Sequence, residues 1–401
     1  MGLRDTKPYR ILTLDGGGTW ALIQAKVLMD IYGPDTPGQE ILKDFDLVAA
    51  NSGGSIVASG LIANLTPTEI LTRFTDQKIR ESIFAALPWY KKLLRIIDIG
   101  YQFSTEGKKN GLSQALSGLP YTALSNLQIK NRNAQDIQFL IMGYDYDRDR
   151  STIFRSNLNS RAANFPRGGS AGISVLDAIH ASSTAPVQYF DAPALAGNKR
   201  YWDGAVSGFN NPVLVAVSEA VANNVNKNDI GVLSIGTGNT FLPTAGKAAH
   251  PALLKQRNNP GLANDLHKMA ESILADPPDT ASFIAYLMLD GNLPDDPPRA
   301  IHISDTPIIR MNPLIRPKIA DGQWDFPGGY DADGFMKLVT LDMAAVKSDD
   351  VDRINRFCNE WMNDGWQNQP LRHGADMDGS LPNPHFCEIG HPTYSVAKNA
   401  W

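Results

Sequence analysis

The chain has 401 residues with 37 Lys and Arg against 42 Asp and Glu, a net charge of −5. It is long enough for a large core, and neither this mild acidity nor any concentrated basic block suits a nucleic-acid binder. Its two cysteines, Cys358 and Cys387, are too few for a disulfide framework and lack the Cys/His spacing of a zinc site, which suits a reducing compartment.

The first residues, Met1 to Pro8, are polar and lack the apolar core of a secretory signal; the Met-Gly-x-x-x-Thr match to a lipidation pattern is too short to carry an assignment. No run approaches the ~20 apolar residues that span a bilayer. The expectation is a cytoplasmic or peripheral membrane protein with no signal peptide and no transmembrane segment.

Ile11, Leu12 and Leu14 predict a short buried strand, and Ala21, Ala25, Leu28, Met29 and Tyr32 recur at helical spacing. Between them, Asp15-Gly-Gly-Gly-Thr19 forms a strand-to-helix turn whose bare N–H groups and helix N-terminus suit an anion. The pattern repeats: Leu47 to Ala50 reads as a strand, Asn51-Ser-Gly-Gly-Ser55 as a tight turn, and Ile56 to Ile62 as a buried helix. A serine at such a tip has the geometry of a nucleophile elbow, although serine is also an ordinary helix cap.

Between Arg80 and Tyr101, Trp89, Leu93, Ile96 and Ile97 share one helical face, which reads as a helix packed on the core in preference to a lipid-touching segment. Gln138 to Met142 and Thr152 to Phe154 flank a charged turn and predict paired strands. Ser174 caps a helix from Val175 to Ser182, with Asp177 reaching back. Arg200 to Trp202 makes a strand ending in Asp203-Gly204, Asn211-Pro212 opens a helix to Val221, and Ile230 to Ile235 is a buried strand. The stretch from Asp276 to Pro298 reads as a loop or lid, and Ser348 starts a helix whose apolar face includes Cys358. The last thirty or so residues read as loop. Alternating strands and helices predict an α/β fold with a mostly parallel central sheet covered by helices.

A serine hydroxyl needs a base. His180 lies in mid-helix, and the other six histidines sit in no catalytic pattern. Among the Asp-Gly pairs of the chain, Asp203 alone stands between a strand and a helix cap.

In this order the motifs resemble those of the patatin-like phospholipases, over about residues 8–240. That family carries a glycine-rich D-G-G-G-x-R-G oxyanion turn, a G-x-S-x-G nucleophile and a D-G-G or D-G-A aspartate. The corresponding stretches are Asp15 to Ala21, Ala50 to Gly54 and Asp203-Gly-Ala205. The resemblance implies a patatin-like α/β hydrolase with a Ser52–Asp203 dyad, an oxyanion hole at Gly16, Gly17 and Gly18, and no cofactor or metal. It also implies lipid substrates met at a membrane surface, with no nucleic acid. Residues 1–401 are expected to form one catalytic domain, with 241–401 as lid or loop and a helical extension. Trp20 stands where the family usually has arginine, and Ala50 replaces the first elbow glycine.

By this reading Ser52 attacks an ester carbonyl, Asp203 takes its proton, and the glycine N–H groups, with Gly53 as a further donor, hold the oxyanion. An aspartate of reference pKa ~3.9 needs burial to serve as that base. Two rivals remain at this point: an actin-like ATPase or sugar kinase using Asp15 to Thr19 as a phosphate loop, which requires a second strand after the glycines, and an inactive patatin-like binding scaffold.

Overall fold

The computed structural model describes residues 2–401 except 85, 87–101, 117–120, 164–170, 187–188, 243–260, 262–278, 294–300, 321–322 and 373–386. The aromatic stripe around Trp89 lies outside the described residues. In chain order the elements that position the site are β1 (Tyr9–Leu14), α1 (Leu22–Tyr32), β2 (Leu47–Ala50), α2 (Ser52–Ile62), α3 (Thr105–Ala115), β3 (Gln138–Asp145) and β4 (Arg150–Arg155). They continue with α4 (Val175–Ser182), β5 (Ala194–Ala196), β6 (Lys199–Asp203), α5 (Val213–Ala222), β7 (Ile230–Ile235), β8 (Ile308–Met311), α6 (Ser348–Met362) and α7 (Tyr394–Ala400).

Strands β8, β7, β1, β2 and β3 lie side by side and parallel, and β3 is followed by the antiparallel β6 and β5, with β4 on the other edge of β3. This is the mostly parallel α/β sheet expected from the alternation. The central strands are unbroken apolar runs because both faces are covered. On one face Leu12, Leu14, Val48, Ala50, Ile141, Leu233 and Ile235 pack with α1, α2, α4 and α6. On the other, Ile11, Leu47, Ala49, Leu140 and Val232 meet Val213, Ala216, Val217 and Ala220 of α5. Helix α2 carries no charged side chain, and Gly53 to Ile62 are all buried, as its uniformly apolar sequence demands.

The strand pair β3–β4 and the Ser174 cap form as expected. The Ser174 hydroxyl accepts the Asp177 N–H at 3.0 Å, while Asp177 reaches back to that hydroxyl. Beyond residue 240 three features differ from the sequence reading. Residues 279–288 are helical, and Ala281, Ala285 and Leu289 bury one face against the sheet-side core. Strand β8 extends the central sheet at its β7 edge, so the sheet does not end near 240. The chain closes in α7, where a loop was expected: Tyr394 packs on Trp361 at 4.6 Å and donates its hydroxyl to Asp30 at 2.6 Å. Tertiary packing makes a helix there out of a segment whose polar sequence carries no strong helical signal.

Candidate active site

The register of β3 assembles the centre of the site. Its residues Gln138 to Ile141 pair with β2, with Ala50 opposite Ile141, and on the same edge Gly143 to Asp145 pair with β6, with Asp203 opposite Gly143. Strands β2 and β6 run in opposite directions along that edge, so their C-terminal ends face each other. Ser52 follows one end and Asp203 is the other.

Ser52 adopts a left-handed backbone with φ 47°, a conformation that costs a non-glycine residue on the order of 1–2 kcal/mol and marks a sharp strand-to-helix elbow. The following glycines make the elbow possible. A Cβ on Gly53 would stand 2.6 Å from the Gly18 carbonyl oxygen, and one on Gly54 2.6 Å from that of Asp15. The Ser52 N–H donates to Ser182 Oγ at 2.9 Å, tying the elbow to the end of α4.

Asp203 is buried at 3% exposure. Its Oδ1 accepts the Ala205 N–H at 2.9 Å and Asn51 Nδ2 at 3.0 Å, and its own N–H donates to Thr184 O at 2.8 Å. The nearby Ser52 side chain favours the charged form of the carboxylate. Burial raises the Asp203 carboxyl above the ordinary range; the Ala205 N–H, Ser52, Asn51 and the charge of Lys108 oppose this without cancelling it. The aspartate expected from its turn therefore has the environment a base requires. His180 is buried on α4 and held down to about 2, first by burial and then by Lys108 and Lys109, which keeps it neutral.

The glycine loop is followed by a 3-10 turn, Gly18–Ala21, and α1, not by the second strand that a phosphate-loop ATPase requires. A Cβ on Gly16 would stand 3.0 Å from Ser52 Cβ, so the loop runs against the elbow. The expectation of three donors from this loop needs one correction. Gly16 gives its N–H to Asn210 O at 2.9 Å, because the turn after β6 brings that carbonyl against it. Among the described residues no hydrogen bond is donated by the N–H groups of Gly17, Gly18 and Gly53.

Trp20 does not replace the family arginine in any polar role. It is buried, edge-on to Phe357 of α6 at 6.1 Å. A cation reaches the loop from elsewhere: Arg310 on β8 forks onto both oxygens of Asp15, with Nη1 to Oδ1 at 3.0 Å, and also donates to Ser234 at 2.9 Å. Burial raises Asp15 and Arg310 opposes it. Sequence reading missed Arg310, although an arginine inside the apolar run Ile308-Ile-Arg-Met311 was the available signal. It also missed Lys108, whose position in a helix rich in polar residues carries no signal of burial. Among the described residues no cluster of three potential metal ligands occurs, and no helix is long and apolar enough to cross a membrane.

The environment of Asp203 yields a two-part expectation for Asp203→Asn. If Asp203 is the base expected from the sequence, hydrolysis should fall by ~10²–10⁴, while the melting temperature at neutral pH rises. A raised native pKa gives stability that is fully present below the ordinary value of 3.8 and lost as pH rises through the native value. At neutral pH the buried carboxylate is thus a cost that asparagine removes. Melting curves of both proteins across pH should converge in acid and separate as pH rises; parallel curves would contradict this.

The chain is 29% identical over 234 residues to the cGAMP-activated phospholipase of Pseudomonas aeruginosa, covering 57% of this chain and 62% of that protein. It spans less than two thirds of the curated relatives it matches. VipD from Legionella pneumophila aligns with 88% of this chain and 67% of its own at 10% identity and a TM-score of 0.33. The family model for patatin-like phospholipases matches residues 12–217, a stretch that makes up half of the chain and contains the glycine loop, the elbow and Asp203, and the chain therefore belongs to that family.

Proposed function

We propose that the protein is a lipid acyl hydrolase that cleaves acyl esters of phospholipids or other acyl lipids through a Ser52–Asp203 dyad. The observation that carries this reading is the meeting of β2 and β6 end to end, which sets a strained, partly exposed serine against a buried aspartate raised by burial. Asp203 removes the hydroxyl proton as Ser52 attacks the ester carbonyl, and the alcohol or lysolipid leaves with a proton. Water then attacks the acyl-enzyme, with Asp203 as base again, and frees the fatty acid. The N–H groups of Gly17, Gly18 and Gly53 hold the oxyanion in both steps, each donor worth on the order of 3 kcal/mol. The substrate lies at a membrane surface, which the protein meets peripherally, and the chemistry calls for no cofactor.

A fluorophosphonate probe followed by mass-spectrometric site identification tests the reading. Ser52 should be labelled in the native protein, and labelling should be lost in Asp203→Asn. Labelling at another serine would redirect the assignment. An unlabelled protein would favour a patatin-like binding scaffold, and ATP turnover would restore the phosphate-loop reading.

A further inference from the structure

Lys108 of α3 is a lysine at 1% exposure, and nothing in the proposed chemistry uses it directly. Its Nζ donates to His180 O at 2.8 Å, to Ser183 Oγ at 3.2 Å and to Thr184 Oγ1, and lies 4.6 Å from the centre of the Phe190 ring. The two hydroxyls have already committed their own protons, Ser183 to Ile179 O at 2.7 Å and Thr184 to His180 O at 2.6 Å. They can therefore only accept from Lys108. Three acceptors call for three hydrogens, so the group that fits this socket is an ammonium.

The socket is the C-terminal end of α4, where a cation is favoured by the helix dipole. The same short stretch holds both members of the dyad. Ser182 accepts the N–H of Ser52, and Thr184 O accepts the N–H of Asp203. We propose that Lys108 is a positioning residue for the hydrolase, locking as an ammonium the Ser182–Thr184 turn that fixes Ser52 and Asp203. This inference rests on the dyad reading.

Among the described residues the other titratable groups around that spot are neutral or already paired. His180 on α4 is neutral, and Asp177 of α4 is paired with Lys109 of α3 at 2.6 Å. Asp191 accepts the Thr105 N–H at 3.0 Å, and Asp145 on β3 accepts those of Asp147 and Arg148. Tyr201 on β6 is pushed up to about 12 and stays neutral, chiefly by burial. Arg80, on the helix packed against α3, gives its guanidinium to Phe74 O and Val346 O. Burial pulls Lys108 well below the ordinary lysine range against the opposing pull of Asp203.

The test is the pH profile of kcat/KM for acyl-ester hydrolysis in the native protein, Lys108→Met and Lys108→Arg, with circular dichroism as the check on folding. In Lys108→Met, kcat should drop on the order of a hundredfold with KM little changed, as for misplaced catalytic groups. Its acid limb should move to higher pH, because Asp203 loses the charge that favours its ionised form. Lys108→Arg keeps the charge and should hold the limb in place and restore much of kcat. A folded Lys108→Met with an unmoved acid limb, or an arginine variant as impaired as the methionine one, overturns the proposal.

Should Lys108→Met not fold, Ser183→Ala decides. It removes one acceptor and leaves the lysine, so the alkaline limb should move to lower pH as the ammonium gives up its proton more readily; an unmoved limb overturns the proposal. Failure of the dyad itself reads differently, since the fluorophosphonate probe would then leave Ser52 of the native protein unlabelled.

Discussion

Ser52→Gly and Ser52→Ala should both lose ester hydrolysis, by on the order of 10⁵–10⁶, as deletion of a serine nucleophile does, yet they should differ in stability. Both lack the hydroxyl, but only glycine adopts φ 47° without strain. The glycine variant should therefore unfold later in denaturant, by about 1 kcal/mol, even though glycine loses more chain entropy on folding. Equal stabilities would mean that the elbow stores no strain, and residual hydrolysis at the native rate would remove Ser52 from the chemistry. Strain at Ser52 is a cost to the fold, and its place beside the buried Asp203 is a reason to propose a function for it.

The second large effect should come from Arg310, which is buried on β8 against Asp15. Arg310→Met leaves Asp15 buried without its fork, and breaking a buried pair from one side costs about 3–5 kcal/mol. Asp15 immediately precedes Gly16, so the loss should also loosen the loop that supplies Gly17 and Gly18. The deficit has a definite pH dependence. Without Arg310 nothing offsets the burial that raises Asp15, so stability is retained below the ordinary value of 3.8 and lost as pH rises through the native value. Denaturation of Arg310→Met should look closest to native in acid and worst at neutral pH. Adding Asp15→Asn should recover much of the loss, because it removes the stranded charge. A double-mutant cycle with no coupling would contradict this account.

Much of the site was legible in the chain because its geometry is local. A strand-to-helix turn is written in a few consecutive residues: an apolar run, small residues that let backbones approach, then a helical period. Asp15 to Thr19, Ala50 to Gly54 and Asp203-Gly204 all have this form, and the structure brings all three together. Less local features were not legible. The Gly16 N–H reads from sequence as one more oxyanion donor; only the return of the chain at Asn210 takes it away. Trp20 reads as a missing cation, whereas its ring packs on Phe357, far along the chain. Likewise the helical end at Tyr394–Ala400 depends on contacts with Trp361 and Asp30, which no local propensity encodes.

The sequence by itself determined the kind of sheet, the three turns and the two residues proposed to carry the chemistry, because strand burial and turn sterics act over a few neighbouring residues. Tertiary structure alone decided which N–H groups stay free, which buried cations face the two aspartates, and that β8 from the C-terminal part completes the sheet beside β7. Those outcomes depend on desolvation and on pairing between residues up to 295 positions apart, as in Arg310 and Asp15. The energy of a buried charge is set by what folding brings against it, not by its neighbours in the chain.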